Sequence, residues 1–556
     1  MRRRVMDIVP VPVSKTAMSR TCRDRWVPAV VVASLVIASC TPVRPRLDFT
    51  PSFAATADLA RADALVRAGC YTCLTEAIAI YQTLAAGPTA VPVAAYRAVD
   101  TAVLMAMRER EIGLGSGRSR QHAEALAREL PAPADYSLFL SVIDAVGWKP
   151  TGVSPEQLGA TVGLFRSVSA NLAGWRASLR ALAPHDLLSA YQLLSLECLY
   201  SYRLLEAKQL PWPLPANAPP LLRASAATCT GAVASLLDDV LRDEPRLREL
   251  YLFQGERALG RGALRTAERH LLTAIEEIPA LMSAKVVLGH IYLQMEDVES
   301  AFAAYHEATT AVPGQRDAMI GEAKALSYLD RSDEAIAVLD EMVRLGTWYL
   351  GEAHYWRGWN RLHLKQFDLA NDEVAAARKY MPMDPLVDKL SGRVALARNE
   401  IERAEREFRT AVEHFTGRQT RDCDTNYYLA SVLVMQRKWP EGAQWFSQAL
   451  PCYVEDEQAA RRKIEEINAA DLPEERKIRL VTAKQKGIAA LQSQQARAAY
   501  NAAVAYANLG DKERARPLAE RAALHPDMAD LARKLLARLQ QGRDSSAFAS
   551  SSGGPP

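Results

Sequence analysis

The sequence lacks the short motifs by which enzyme active sites are usually recognised. It contains no HExxH, GxSxG or Walker sequence, and its histidines are scattered instead of being grouped with cysteines at metal-binding spacings. The glycines of Gly113–Gly117 superficially match a phosphate-binding loop, but they follow a predicted helix and no P-loop lysine accompanies them. We therefore predict a protein that is not an enzyme and that needs no cofactor and no metal.

Residues typical of sheets and tight turns are also scarce. Aromatic residues make up 7% of the chain, glycine occurs 28 times in 556 residues, and no long alternation of Val, Ile and Thr appears. Sparse glycine suits helix interiors, and the missing alternation argues against strands. The sequence therefore predicts an all-α protein.

A strong excess of positive charge is missing as well. The formal charge is +3, but residues 1–39 hold seven Lys/Arg and two Asp, which leaves 61 basic and 63 acidic residues in the remaining chain. This balance provides no basic stripe of the kind that nucleic-acid binding requires. We expect no nucleic-acid partner.

A short apolar run lies close to the N-terminus. Arginines at 20, 23 and 25 precede Val27–Ala38, which is too short to span a membrane comfortably and fits the hydrophobic region of a signal peptide. The run ends in Ile37, Ala38, Ser39 and Cys40.

These last four residues resemble the lipobox of bacterial lipoproteins, in which small residues precede a lipidated cysteine. The resemblance implies that residues 1–39 are a signal peptide, that lipid is attached to Cys40 and that residues 40–57 form a lipidated tether. Thr41 follows the cysteine, which by the family's sorting rule favours the periplasmic face of the outer membrane. The alternatives are an ordinary signal peptide, or a buried helix, with a chance cysteine.

A 34-residue repeat organises the C-terminal half of the chain. Gly255 and Ala267 recur as Gly289 and Ala301, and a large residue follows each alanine by four positions. Similarity at a fixed period is the signature of a repeat architecture. The spacing resembles the tetratricopeptide repeat, which implies a right-handed superhelical solenoid of antiparallel helix pairs. The predicted packing residues at the helix crossings are Gly255, Ala267, Gly289, Ala301, Gly358, Ala370, Gly392 and Ala404.

The remaining segments are assigned by how well they follow this pattern. We predict a degenerate first repeat at 58–86, a less regular helical region at 87–244, tetratricopeptide-like repeats at 245–454, an inserted helix pair at 455–495, a last repeat with a capping helix at 496–540 and a disordered tail at 541–556.

Two cysteine pairs are placed by the repeat resemblance and by the helices. Cys423 opens the first helix of one repeat and Cys452 closes its second, so antiparallel packing brings them together, and an oxidising compartment permits a disulfide. Cys198 and Cys229 lie on helices either side of a proline-rich connection and could pair likewise.

The third pair, Cys70 and Cys73, has CxxC spacing. Leu74 stands where a haem site needs histidine, no second ligand pair for zinc lies nearby, and the setting is helix–turn–helix instead of the βαβ unit of thioredoxin-like proteins. We interpret the pair as a local disulfide.

In tetratricopeptide repeats, the first helix of each pair lines a concave groove. The spacing places Tyr355, Trp359 and His363 along one face of such a helix. The alternative is that these aromatic residues belong to the core between repeats. The family's clamp for a terminal carboxylate also needs an Asn that has no match here. The predicted partner-binding groove consists of Tyr355, Trp359, His363, Lys389, Arg393, Tyr427 and Lys324.

The leading hypothesis is a lipid-anchored, periplasmic scaffold that binds other envelope proteins or peptides through this groove. A second hypothesis is that the irregular N-terminal region binds a glycan or another ligand, or carries a weak enzymatic activity. A third is a self-assembling structural protein. Function inferred from fold alone is analogy.

Overall fold

The computed structural model describes residues 44–49, 56–86, 90–114, 117–130, 136–146, 155–200, 214, 217–230, 234–346 and 349–540. Within these ranges, the side chains of residues 146, 155–167, 169, 199–200, 229–230 and 234–235 are not described. The predicted signal peptide, the lipobox, Cys40 and the predicted tail at 541–556 lie outside the described residues.

The described residues are organised almost entirely as α-helices, as predicted, and show no strand. None of these helices combines the length and apolar character that crossing a membrane would need. The helices are α1 (Ala57–Ala68), α2 (Tyr71–Ala86), α3 (Pro92–Ile112), α4 (Arg118–Arg128), α5 (Ser137–Val146), α6 (Pro155–Leu182), α7 (Leu187–Tyr200), α8 (Pro220–Thr230), α9 (Ala234–Asp243), α10 (Tyr251–Gly260), α11 (Leu264–Glu277), α12 (Met282–Gln294), α13 (Val298–Ala311), α14 (Arg316–Tyr328), α15 (Ser332–Leu345), α16 (Leu350–His363), α17 (Phe367–Tyr380), α18 (Pro385–Ala397), α19 (Ile401–Gly417), α20 (Cys423–Met435), α21 (Trp439–Ala469), α22 (Glu474–Asn508), α23 (Lys512–Ala523) and α24 (Ala529–Gln540).

Helices α1–α9 form an N-terminal module around one apolar core. The first pair, α1 and α2, is joined at Gly69, whose φ of 74° is left-handed. A Cβ on this glycine would also overlap Leu221 of α8, so the turn needs glycine for both conformation and space. The pair is thus packed into the module.

Part of the predicted tether is held by this module. Leu47 is 3% exposed, and its carbonyl accepts a hydrogen bond of 2.9 Å from the N–H of Leu187. The guanidinium of Arg44 lies 2.7 Å from Asp100 and also contacts Asp186. Residues 44–49 therefore differ from the free tether expected from their polar, proline-containing sequence, because their backbone and charges find partners in the module.

From α10 onward the chain forms a solenoid of helix pairs. In each pair, the turn between the two helices contains one residue with left-handed φ. Because an αL residue lets the chain reverse at a helix end, its recurrence fixes the register of the repeats. These residues are Gly262, Glu296, Asp330, Lys365, Asn399, Arg437 and Gly510.

The predicted packing residues lie where helices cross. A Cβ on Gly255 would lie 2.6 Å from Leu271, and one on Gly289 or Gly392 would lie 2.6 Å from the ring of Tyr305 or Phe408. Gly358 is less tightly enclosed, with 3.1 Å to Glu373. Large side chains therefore fill the space that a missing Cβ leaves. The alanines at the second crossing positions, Ala267, Ala301, Ala370 and Ala404, are all 0% exposed.

The predicted inserted helix pair at 455–495 has no separate helices of its own. Instead, α21 runs for 31 residues from the sixth repeat, and α22 runs for 35 residues into the seventh. The extended parts of these two helices pack against each other, and we call them the long hairpin (residues 455–495). The sequence did not indicate that these two helices are continuous with the repeats, because residues 455–495 are charged and depart from the apolar pattern of the repeats.

Candidate functional site

Aromatic side chains form a continuous strip across the first helices of four successive repeats. Its first part joins α14 to α16. The ring of Tyr328 meets Trp356 edge to face at 5.3 Å, and Trp356 lies 6.2 Å from Trp359. Tyr328 is 56% exposed, so this end of the strip is open to a ligand.

Arg393 of α18 continues the strip to α20. Its guanidinium carbon lies 4.5 Å from the ring centre of Trp359 and 5.7 Å from that of Tyr428. The ring of Tyr427 extends the strip beyond Tyr428, with 5.6 Å between the two ring centres. We refer to Tyr328, Trp356, Trp359, Arg393, Tyr428 and Tyr427 as the aromatic strip.

Arg393 makes no ion pair with a described residue, although its charge helps to lower the pKa of Asp424. The residue is 6% exposed, and its Nε atom is buried without an acceptor. Stacking between two rings stabilises a cation. A buried guanidinium nevertheless retains unused donors, so this position is suited to a carboxylate or carbonyl brought by a ligand.

The two lysines predicted in the groove are already occupied. Lys389 lies 2.9 Å from Asp422 and 3.2 Å from Asp424, and Lys324 is paired with Glu352. Burial alone would lower the pKa of Lys389, but the two aspartates outweigh it and raise that pKa. These lysines therefore stabilise contacts within the chain, and no clamp of free cations forms.

The aromatic residues predicted on α16 do not share one environment. Tyr355 is 7% exposed and packs against Trp356, which is 8% exposed, so both rings belong to the core between repeats. Tyr355 therefore does not line the groove as predicted, and Trp356 contributes to the strip only through its contacts with Tyr328 and Trp359. His363 is exposed, and its ring lies 5.0 Å from Trp359. Partial burial and the nearby Arg393 lower the pKa of His363, which favours a neutral ring at pH 7.

Sequence reasoning missed three members of the strip: Tyr328, Trp356 and Tyr428. Tyr328 lies two residues before the left-handed Asp330, just as His363 lies two residues before Lys365. Alignment on the turn residues would have revealed this equivalence, but five of those seven residues are not glycine and carry no sequence signal.

The tip of the long hairpin contacts the first and second repeats, far away in sequence. Arg476 lies 2.8 Å from Asp297, also contacts Glu268, and its guanidinium lies 4.9 Å from the ring of Tyr292. Burial would lower the pKa of Arg476, but Glu268 and Asp297 outweigh that effect and raise it. The tip thus carries one strongly held arginine.

Two further cations complete this contact. Arg479 lies 2.9 Å from both Asp297 and Glu299, and Lys484 pairs with Glu296. Asp297, which accepts from both arginines, is 1% exposed. The hairpin therefore bridges the solenoid from its sixth and seventh repeats back to its second.

The cysteines are largely engaged in disulfides. Cys70 is joined to Cys73, and Cys423 to Cys452 with 5.6 Å between their Cα atoms. Asp456 lies close to the second pair, but bonded sulfurs offer no thiolate for a metal ion. Cys198 is disulfide-bonded too. The side chain of Cys229 lies outside the described residues, so the pairing of these two stays a prediction.

Buried polar groups in the N-terminal module form ion pairs and hydrogen bonds with one another. Arg108, which is fully buried, lies 2.6 Å from Glu111 and 3.1 Å from Glu249, and Tyr191 donates a 2.5 Å hydrogen bond to Glu111. These groups lie within the apolar core of the module. The hypothesis of a ligand site in this region stays a prediction.

Comparison with known proteins identifies the repeat. A tetratricopeptide-repeat family model matches residues 496–523, which span the end of α22 and α23. A search of curated protein sequences gave no match.

Three solved structures are similar to parts of this chain, each at low identity and with a TM-score below 0.5. A tetratricopeptide repeat protein from Parabacteroides merdae is 15% identical to this chain, with a TM-score of 0.33. The match covers 53% of this chain and 98% of that protein. The Cut9–Hcn1 complex shares 14%, with coverage of 84% and 76% and a TM-score of 0.38. YrrB, described as a tetratricopeptide-repeat protein with an unusual peptide-binding site, shares 18%, with coverage of 33% and 93% and a TM-score of 0.29.

At these identities the likeness concerns the fold alone. The predicted resemblance to the tetratricopeptide repeat and the predicted helical solenoid are confirmed, whereas the resemblance to lipoproteins stays a prediction. The described residues form a helical solenoid, and residues 496–523 match the tetratricopeptide repeat.

Proposed function

We propose that the protein is a lipid-anchored, non-enzymatic scaffold of the bacterial periplasm that binds a peptide segment of an envelope protein along the aromatic strip. The observation that carries this proposal is the strip itself, with the unpaired Arg393 at its centre. Repeat solenoids commonly serve as protein-binding scaffolds, which agrees with this assignment.

The chemistry of the strip favours a peptide as its ligand. Rings on adjacent helices offer stacking and apolar burial, and aromatic and arginine side chains dominate the binding energy of many protein interfaces. The guanidinium between Trp359 and Tyr428 can donate hydrogen bonds to a peptide carbonyl or to an acidic side chain.

The anchor is supported by the order of arginines, apolar run and cysteine in residues 20–40. With lipid on Cys40, the residues that separate it from Arg44 would span at most about 14 Å. Because Arg44 is bound in the module, the module would lie close to the membrane surface. Mass spectrometry of the mature protein tests this: we expect a lipidated Cys40 at its N-terminus, and a Cys40→Ser variant that is released from membranes. An unmodified Cys40 in membrane-bound protein would rule the anchor out.

Affinity capture tests the binding site. The full-length protein is used as bait on its own membranes, beside a variant with Trp359→Ala and Tyr428→Ala. Tyr380→Ala is the matched control, because Tyr380 is 56% exposed on α17, the second helix of its pair. All baits are compared for helicity by circular dichroism.

Captured proteins are then presented to the same baits as overlapping peptides. We expect a short segment of a captured protein to bind the native chain and the Tyr380→Ala control, and to lose binding to the strip variant. Equal binding by all three baits would show that the strip is not the binding site.

A further inference from the structure

The disulfide between Cys70 and Cys73 lies where the N-terminal module meets the first repeat of the solenoid, which consists of α10 and α11. Cys70 directly precedes α2, and Cys73 belongs to its first turn. Both sulfurs are covered, since Cys70 is 1% exposed and Cys73 is 3% exposed. The N–H of Cys73 also donates a 3.0 Å hydrogen bond to Sγ of Cys70. The disulfide therefore closes the first turn of α2 at the junction of the two regions.

Both residues between the cysteines contact the solenoid. The N–H of Tyr71 donates to Glu249, just before α10, at 3.2 Å, and the Tyr71 ring packs against the apolar cluster of the first two repeats. The hydroxyl of Thr72 donates to Glu277 at the end of α11, at 3.1 Å. We call Tyr71, Thr72, Glu249 and Glu277 the joint. The turn that the disulfide closes is thus also the turn that docks on the first repeat.

Glu249 ties the order of this turn to the docking of the repeat. Its carboxylate is fully buried and accepts hydrogen bonds from Arg108 of α3 and from the N–H of Tyr71. Burial raises the pKa of Glu249, whereas Arg108 and the Tyr71 N–H act to lower it. If the first turn of α2 moves away, a buried carboxylate loses one of its donors, which is costly. An ordered first turn therefore favours the docked repeat.

The spacing of the cysteines makes the effect of the disulfide local. Cys70 and Cys73 are three positions apart, whereas Cys423 and Cys452 are 29 positions apart and restrict the unfolded chain more strongly. Exchange of a disulfide requires a thiolate to reach one of its sulfurs. Because these sulfurs are covered, a reductant can reach them only when the joint opens. Closure of the joint and survival of the disulfide are therefore linked, and such coupling is reciprocal.

We propose that the Cys70–Cys73 disulfide is a redox-sensitive device that sets how firmly the N-terminal module is docked on the solenoid. The bond forms when the two thiols pass two electrons and two protons to the disulfide of a thiol–disulfide oxidoreductase, which becomes a dithiol. Exchange with a dithiol reverses the reaction. The oxidised chain holds the joint closed, and the reduced chain keeps the fold of each region but opens the joint more often. This inference goes beyond the proposed function and requires neither the lipid anchor nor a peptide ligand.

The first experiment measures how well the joint protects the disulfide in the full-length protein. The chain is treated with dithiothreitol under native conditions, free thiols are trapped with N-ethylmaleimide at intervals, and peptide mass spectrometry follows each cysteine pair. The Cys423–Cys452 pair is an internal reference, because it joins α20 to α21 and not the module to the first repeat.

Three variants are compared with the native chain in this experiment. Tyr71→Ala removes the ring that packs on the first two repeats, and Thr72→Val removes the hydroxyl that donates to Glu277. Thr83→Val is the matched control, because that exposed hydroxyl donates to a carbonyl of its own helix. Circular dichroism checks that all variants keep the native helicity.

We expect Tyr71→Ala to raise the rate of reduction of the Cys70–Cys73 pair at least about tenfold, because less apolar contact holds the joint closed. Thr72→Val should raise it about threefold through the loss of one hydrogen bond, and this variant decides the outcome if Tyr71→Ala disturbs folding. The Cys423–Cys452 pair should be reduced at the same rate in every variant. Equal rates at the Cys70–Cys73 pair in native chain and joint variants would overturn the proposal.

The reciprocal effect is measured by hydrogen exchange. Cys70→Ser with Cys73→Ser should accelerate exchange about tenfold at residues 71–74 and in α10 and α11, and leave α14–α20 unchanged. Cys423→Ser with Cys452→Ser is the matched control and should leave the joint unchanged. Equal acceleration throughout α1–α9 would show that the disulfide stabilises the whole module instead of the joint. Unchanged exchange at residues 71–74 and in α10 and α11 would show that it has no effect on docking, and either result overturns the proposal.

Discussion

In the N-terminal module, charged groups lie inside the core in sets of one arginine and two carboxylates: Arg108 is shared by Glu111 and Glu249, and Arg44 by Asp100 and Asp186. In the described repeats, most ion pairs lie on the surface between neighbouring helices, and the buried Arg393 forms no ion pair with a described residue. Paired buried charges make the module depend on them for its fold. The repeats depend on apolar crossings, which leaves a buried cation free for binding.

The largest expected effect comes from breaking a buried set in the module. Glu249→Ala removes one of the two partners of Arg108, whose side chain is fully buried, and leaves two of its buried N–H groups without their acceptor. We expect a loss of about 3–5 kcal/mol in the free energy of unfolding, measured by urea denaturation. Glu334→Ala, which breaks the exposed pair with Arg331, is the control and should change little. Equal effects would mean that the two regions do not differ in how they use charge.

A smaller loss of stability is expected from adding a side-chain atom where two helices of the repeats cross. Gly289→Ala adds a Cβ within 2.6 Å of the Tyr305 ring and should cost about 1–3 kcal/mol. Gly487→Ala is the matched control in the long hairpin, where an added Cβ meets nothing within 4 Å. Because alanine favours helix over glycine by about 1 kcal/mol, that variant should be slightly more stable. Urea denaturation of both variants decides whether the crossings carry the stability of the solenoid.

The two cations of α18 sharpen the comparison within the repeats. Lys389→Met leaves Asp422 and Asp424 without their shared cation, and we expect a cost of about 1–3 kcal/mol. Arg393→Met removes a cation that has no acidic partner and loses only its stacking, so the change should stay within about 1 kcal/mol. Peptide binding should respond in the reverse order, with the larger loss at Arg393. Similar unfolding costs at both positions would contradict a binding role for Arg393.

The solenoid was predictable because its signal is local and repeated: a small residue, a large residue and a period of 34 positions, as in Gly289 and Tyr305. The aromatic strip was predicted only in part. Helical spacing placed Trp359 and Arg393 correctly side by side, but it could not show that Tyr355 turns into the core or that Lys389 already has two aspartates. Those outcomes depend on contacts between helices.

The contact between the long hairpin and the first two repeats was beyond sequence reasoning for the same physical reason. Arg476 and Asp297 are 179 residues apart, and nothing in the local pattern around either residue points to the other. The ordered segment at 44–49 was also missed, since its partners in α3 and α7 become visible only when the module is folded.

The smallest effect expected is a difference in how the two regions respond to acid. Burial raises the pKa of Asp100 and of Glu249 more than their arginines lower it, since each arginine is shared by two carboxylates. In the repeats, burial is outweighed by Lys389 at Asp424 and by His354 and Arg357 at Glu373, so these pKa values are lowered. The signs are therefore opposite.

A carboxylate with a lowered pKa in the folded state contributes stability above its unfolded pKa, and this stability is lost as the pH falls through the folded value. A carboxylate with a raised pKa binds its proton more readily in the folded state, so a falling pH stabilises the fold at that site. As the pH is lowered below about 4, the ordinary pKa of Asp and Glu, hydrogen exchange should therefore accelerate, after correction for its intrinsic pH dependence, in α16–α20 before it does so in α3. Asp424→Asn should remove part of the acid response of the repeats, whereas Asp100→Asn should leave it unchanged. If α3 loses protection first, the arginines of the module hold its buried carboxylates in the charged form. The two regions would then differ in where their charges lie, but both would lose stability as the pH falls.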